Sequence, residues 1–354
     1  MNQTKQFLYL IRLGIGNYSY EIPNDINWAA IRILAEKQGL PAIIVDGIEK
    51  LPETQRPPKE FLLQWIGEIL QGYEYRYDAY CKAIAELAGF YNSHGYRMMV
   101  LKGIACGLNW PKPEHRPYGD IDIWQFGLQK EADKELKKEG IKIDSSHHHH
   151  TVFRWDDFMV ENHYDFINVH HHRSNVEIEK IMKDLGHDDT HYIELYGKNV
   201  YLPSPNLHAL FLIKHSMNDF TSFSITLRQV LDWAFFVEKY TRDINWKWLL
   251  EVIDRYHMKD FFNCINAICV EDLGFSSSIF PTVQFLPSLK DRVLNDIIEP
   301  LYTAAEPKGL FKRLSYKYCR WQGNAWKHEM CYNESMWSAF LSGVWNHLLK
   351  PSSI

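Results

Sequence analysis

Apolar residues recur along this chain at two different spacings, and the changes of period mark three zones. From residue 1 to about 95 the spacing is helical. Trp28, Ile31, Ile33 and Leu34 predict a helix capped by Asn24 or Asp25 and ending near Gly39. After Pro57 and Pro58, a periodic run opens with Phe61, Leu62, Trp65, Ile66, Ile69 and Leu70. It continues through Tyr73, Tyr77, Tyr80, Ile84, Leu87 and Phe90 and stops at His94-Gly95. The aromatic stripe on this run is read as core packing, with no site on it.

From about 96 to 204 the pattern becomes mixed. Residues 97–101 read as a buried strand, interrupted by Lys102-Gly103, and Pro111 and Pro113 then force a loop. The segment Asp120-Ile121-Asp122-Ile123-Trp124 alternates polar and apolar, as a half-buried strand does. Residues 128–139 predict a helix stopped by Gly140, and 141–144 another strand. Residues 151–155 and 158–161 predict a hairpin turning at Asp156-Asp157. From 205 onward the period is helical again, with helices expected over 207–217, 227–240, 246–256, 261–273, 311–326 and 336–349. The reading is an α+β fold: a mixed sheet core in 96–204, flanked by helical regions at 1–95 and 205–354.

Composition narrows the classes. With 354 residues, 46% hydrophobic content, 12 Trp and 20 Tyr, the chain can bury a sizeable core and is not a disordered one. A net charge of −5 argues against sequence-independent wrapping of nucleic acid, and no aromatic-plus-basic pattern signals a nucleic-acid substrate. The six cysteines form no CxxC pair, and Cys264 and Cys269 have neither zinc nor redox spacing. They are expected to be reduced, mostly buried thiols of a cytoplasmic protein. Arg12 breaks the N-terminal apolar stretch, so no signal peptide is expected. No run of about 18 uncharged apolar residues occurs, so no membrane span is expected either.

The chemistry concentrates between Lys102 and Asp122. Side chains at i and i+2 leave the same face of a strand, so Asp120 and Asp122 project together. Two carboxylates so placed repel each other unless a cation sits between them, and hard oxygen ligands suit Mg2+ or Mn2+ better than zinc. Lys102 and Arg116 supply positive charge nearby, and Gly103 allows close backbone approach to a phosphate.

Strand, glycine-containing turn, helix and DxD strand together resemble the polymerase-beta-like nucleotidyltransferase superfamily. Within it, Leu101-Lys102-Gly103, the loop, and Arg116 leading to Asp120-Ile121-Asp122 look like a family of uncharacterised bacterial nucleotidyltransferases. Val160-Glu161-Asn162-His163 is similar to that family's third-acid strand. Leu202-Pro203-Ser204-Pro205 with His215, and then Arg228, Asp232 and Trp246, resemble the segments after it, so the likeness runs from about 97 to 260. The resemblance implies that Asp120, Asp122 and Glu161 hold two metal ions. It also implies that Glu161 helps deprotonate an acceptor hydroxyl, that Gly103 lies against the phosphates of an NTP, and that Lys102 and Arg116 bind the nucleotide. Lys102 departs from the superfamily pattern, standing where its first glycine is expected; a lysine there can reach a phosphate as a point charge. Asp165 and the Glu177/Glu179 pair remain rivals of Glu161 as third carboxylate. The acceptor is not named by the sequence. A non-catalytic nucleotide- or metal-binding protein on the same fold is the alternative reading.

Histidines crowd the middle zone, four in a row at 147–150 and three at 170–172, with His163, His187 and His191 besides. Imidazole is the commonest protein ligand for zinc. Consecutive histidines on a strand point to alternating faces, however, so a run alone builds no tetrahedral site. These residues are read as solvated loop or strand ends, with some, His163 among them, lining the cleft. A histidine-bound transition-metal protein is kept as a third reading. His215 is expected on a helix facing the central domain.

Overall fold

Seven strands form one mixed sheet in the order β3-β4-β5-β2-β1-β7-β6, and different helices cover its two faces. The computed structural model describes residues 3–17, 25–147, 149–169, 172–281, 284–302 and 307–337. Among the described residues five α-helices come first: α1 (Gln3–Ile15), α2 (Trp28–Gln38), α3 (Pro41–Glu49), α4 (Lys59–Ile69) and α5 (Tyr75–Ser93). The middle of the chain supplies β1 (Met99–Val100), α6 (Ile104–Gly107), β2 (Ile121–Trp124), α7 (Gln129–Lys138), β3 (Ile143–Asp144), β4 (His150–Trp155), β5 (Phe158–His163), α8 (Arg173–His187), β6 (Tyr192–Leu195) and β7 (Lys198–Tyr201). Then follow α9 (Pro205–Ser222), α10 (Leu227–Tyr240), α11 (Trp246–Arg255), α12 (Lys259–Ala267), α13 (Pro287–Ile298), α14 (Leu310–Gly323) and α15 (Ala325–Cys331).

Local chemistry explains most boundaries. Asn27, not Asp25, caps α2, its side chain accepting from Ala30 N, and Gly39 closes the helix in the left-handed region; Asn24 lies outside the described residues. The long run after Pro58 is α4 and α5 joined through a wider turn at Leu70–Glu74. The helix expected over 311–326 is two helices meeting at Asn324, and of the one expected over 336–349 residues 338–349 lie outside the described residues. Neither α8, α13 nor the β6–β7 hairpin is among the elements named from the sequence; the hairpin's Tyr196-Gly197 turn has both φ angles positive (49° and 71°), as a tight two-residue turn requires.

Packing joins elements from all three zones. Ile121, Ile123, Val160 and Phe153 project from one face of the sheet into a cluster shared with α5 (Ile84, Leu87, Tyr91) and α7 (Ala132, Leu136). Helix α5 therefore packs as a layer on the sheet. Met99, Leu101 and Trp124, with Phe126 just past β2, join a second cluster with α8, the C-terminal helices and α1–α3. In it α1 and α3 cross closely: a Cβ on Gly14 would lie 2.1 Å from the Ile43 carbonyl oxygen, and one on Gly47 2.3 Å from that of Leu10. All six cysteines are free, five of them buried. No helix among the described residues is long and apolar enough to cross a membrane.

Candidate active site

Parallel pairing of β2 with β5 sets Asp122 beside Glu161 and Trp124 beside His163. Because strand side chains alternate, Asp122, Glu161 and His163 leave the same face, with Asp120 just ahead of β2. On that face Asp122 is buried, Glu161 half-buried and Asp120 exposed. Tyr80, reaching across from α5, donates its hydroxyl to the Asp120 carbonyl at 2.9 Å and fixes the strand's start.

A chain of polar contacts runs from α9 to the sheet. Lys102 Nζ lies 3.0 Å from Asp122 Oδ1 and donates to His215 Nε2 at 3.2 Å. The His215 proton is then on Nδ1, facing Asp219 Oδ2 at 3.2 Å, and Gln229 Nε2 donates to Asp219 at 2.9 Å. On the other side His163 Nε2 stands 3.0 Å from Asp122 Oδ1 and 3.5 Å from Glu161 Oε2, while Nδ1 faces the Asp165 carbonyl at 3.3 Å. Contacts to acceptors from both nitrogens describe an imidazolium. Burial alone would lower the His163 pKa, but the hydrogen bonds to Asp122 and Glu161 raise it to about 9. Burial would likewise raise Asp122, yet Lys102 and His163 hold it far below the usual carboxylate range. Glu161 is lowered, first by the His163 hydrogen bond. For Lys102, burial is outweighed by Asp122, Asp120 and Asp219, and its pKa is raised. Asp120 moves the other way. Desolvation, Asp122 and Glu161 raise it against the pull of Lys102.

Gly103 sits at φ 56°, ψ −113°, and a Cβ there would lie 2.0 Å from Tyr80 Oη. The glycine is required both by backbone conformation and by the tyrosine that holds Asp120.

The structure corrects the sequence reading at Arg116. That side chain is 3% exposed and committed to Asp232 on α10: Nε to Oδ1 at 2.8 Å, Nη2 to Oδ2 at 2.9 Å. Trp110 Nε1 donates to the same carboxylate at 2.9 Å. Arg116 therefore ties the loop before β2 to the helical region, and its donors go to Asp232 and the Pro117 carbonyl. Arg228 stands 3.7 Å from the same Asp232 carboxylate, and its pKa is lowered by burial and by Arg116, against the opposing charges of Asp232 and Asp120. The rival carboxylates are elsewhere. Glu179 accepts the Phe166 and Ile167 N–H groups at 3.0 Å each, Glu177 accepts from Tyr256 Oη at 3.0 Å, and Asp165 pairs with Lys183. Sequence reasoning treated His215 as a facing histidine and gave Asp219 no role. The available signal was their spacing of four on one helix, which puts both on one side of α9.

Two groups of described residues place metal-ligating atoms within 4.8 Å of one another: Asp122, Glu161 and His163, and His149, His150 and His163. Burial and the neighbouring imidazoles lower His149 to about 3; burial and His163, against Glu161, lower His150 to about 4. His148, His170 and His171 lie outside the described residues.

A family model described as uncharacterised nucleotidyltransferase matches residues 24–274. The crystal structure of an antigenic nucleotidyltransferase-like protein from Paracoccidioides brasiliensis is 15% identical, with TM-score 0.33, the match covering 45% of this chain and 75% of that one. No curated protein matches the chain.

Proposed function

Since the chain belongs to the uncharacterised nucleotidyltransferase family, we propose that its cleft transfers NMP from an NTP to a hydroxyl acceptor, releasing pyrophosphate, with Mg2+ or Mn2+ held by Asp120, Asp122 and Glu161. The observation that carries this reading is the register of β2 and β5, which sets Asp122 beside Glu161 on one face with Asp120 just ahead of β2, where desolvation and the neighbouring carboxylates raise Asp120. An all-oxygen, like-charged donor set fits a hard divalent cation. When bound, the cation supplies positive charge against that developing on the attacking and leaving oxygens.

The chain's own residues do the rest. Gly103 lets the backbone approach the phosphates. Lys102, oriented by the His215–Asp219 pair, offers a phosphate its ammonium as a point charge, and Arg228 takes the role that the sequence reading gave to Arg116. Glu161, held ionised by His163, accepts the proton of the acceptor hydroxyl.

One feature favours a second reading, a nucleotide- or metal-binding protein without turnover: the Lys102 ammonium already neutralises Asp122. Calorimetric titration of an NTP panel with Mg2+ or Mn2+, into wild type and an Asp120→Ala/Asp122→Ala variant, tests both. The expected result is metal-dependent binding that the double variant loses. Absence of binding by the folded wild type to any NTP refutes the active reading. Binding without pyrophosphate release across acceptor classes favours the second.

A further inference from the structure

We propose that His149, His150 and His163 form a binding site for a borderline-soft divalent transition metal of the zinc class, with Glu161 as the adjoining carboxylate, the metal taking the place of one ring proton of His163. This site differs in chemistry from the all-oxygen set of Asp120 and Asp122, with which it shares Glu161, and it stands whether or not the chain transfers nucleotides.

The β4–β5 pairing sets His150 directly opposite His163, on the face that carries Glu161. Alternation along a strand would send His149 to the other face, but His149 precedes β4 and lies in a bend. Its carbonyl accepts the Tyr164 N–H at 2.8 Å, which pins it to the end of β5. The three rings consequently converge, with centroids 4.4 Å apart for His149 and His150, 5.3 Å for His150 and His163, and 5.9 Å for His149 and His163. Their ligand atoms all lie within 4.8 Å of one another. Zinc–nitrogen bonds of about 2.1 Å place tetrahedral ligand atoms roughly 3.4 Å apart. Side-chain rotations of the order of an ångström close that gap.

A second observation points to a ligand. His150 is 7% exposed, and its Nδ1 has no hydrogen-bond partner among the described residues. Buried polar atoms are ordinarily satisfied. Glu161 Oε2 is 3.9 Å from that nitrogen, beyond hydrogen-bond reach, and 3.5 Å from His163 Nε2. One carboxylate oxygen thus neighbours two imidazole nitrogens, a mixed set that suits zinc rather than Mg2+.

The test uses the untagged full chain, stripped of metal by chelation and titrated with Co2+ and Zn2+ without nucleotide. The expected result is one equivalent bound, with the intense visible bands of tetrahedral Co2+, displaced by Zn2+ and not by Mg2+. His149→Ala/His150→Ala should weaken Zn2+ binding by about 100-fold or more, since loss of outer-shell partners alone costs 10–100-fold. Asp120→Asn should leave it unchanged. Should the double variant fail to fold, His149→Ala alone and the wild-type Co2+ spectrum still decide. No saturable Co2+ or Zn2+ binding by wild type overturns the proposal, as does undiminished affinity in the histidine variant or loss in Asp120→Asn. The nucleotide titration reads Asp120 and Asp122 independently, so the two readings fail separately.

Discussion

Replacing Gly103 by alanine strikes the turn on which the placement of Asp120 depends. At φ 56°, ψ −113° a side chain is strained, which costs about 1–3 kcal/mol. The added Cβ would also lie 2.0 Å from Tyr80 Oη, 2.9 Å from Cζ and 3.2 Å from Cε1, and Tyr80 is fully buried, so the ring has nowhere to retreat. Overpacking of this kind adds about 1–3 kcal/mol, giving a destabilisation of roughly 2–6 kcal/mol in all. Tyr80→Phe alone removes the hydroxyl that donates to the Asp120 carbonyl and should cost about 1 kcal/mol. In the double variant the shortest clash disappears while the backbone strain and the Cζ contact remain. Its loss should therefore be smaller than the sum of the singles by about 1–2 kcal/mol. Urea denaturation followed by fluorescence and circular dichroism measures all four proteins. A Gly103→Ala effect below about 0.5 kcal/mol, or additivity within about 0.5 kcal/mol, would refute the argument.

Asp232→Asn should destabilise by about 3–5 kcal/mol, because it leaves the Arg116 guanidinium buried without its carboxylate. Arg116→Lys should also lose stability, since an ammonium cannot reproduce the two-pronged contact; an Arg116 variant of unchanged stability but lost NTP binding would contradict the structural role given to it here. Lys214 is fully buried, its Nζ makes no hydrogen bond among the described residues, and burial lowers its pKa from 10.5 to about 7. The unfolded chain therefore holds a proton that the folded one releases, so this group makes stability rise with pH from about 7 toward 10.5. Lys214→Met should stabilise by about 1–4 kcal/mol at pH 7, and by less at pH 10. Denaturation curves at the two pH values check this, and a variant less stable than wild type at pH 7 would show that the amine is satisfied.

Period alone determined a good deal of this protein. The alternation around Asp120 and Asp122 puts two acids on one strand face, and the helical spacing of Trp28 to Leu34 or of Phe61 to Phe90 marks real helices. Such patterns are written within one turn or one pleat, where neighbouring residues fix each other's direction. The resemblance picked Glu161 from among several acids. What sets Glu161 beside Asp122 is the register of β2 on β5, made by strands distant in sequence. The same long-range packing placed α5 on the sheet, spent Arg116 on Asp232 and set Arg228 beside that carboxylate. It also turned His215 and Asp219 to Lys102 and drew His149 out of alternation to meet His150 and His163. None of these pairings has a local signal, because burial and hydrogen bonding choose between side chains only once the layers have met. An arginine or a histidine reads the same in the sequence whichever neighbour the fold delivers to it.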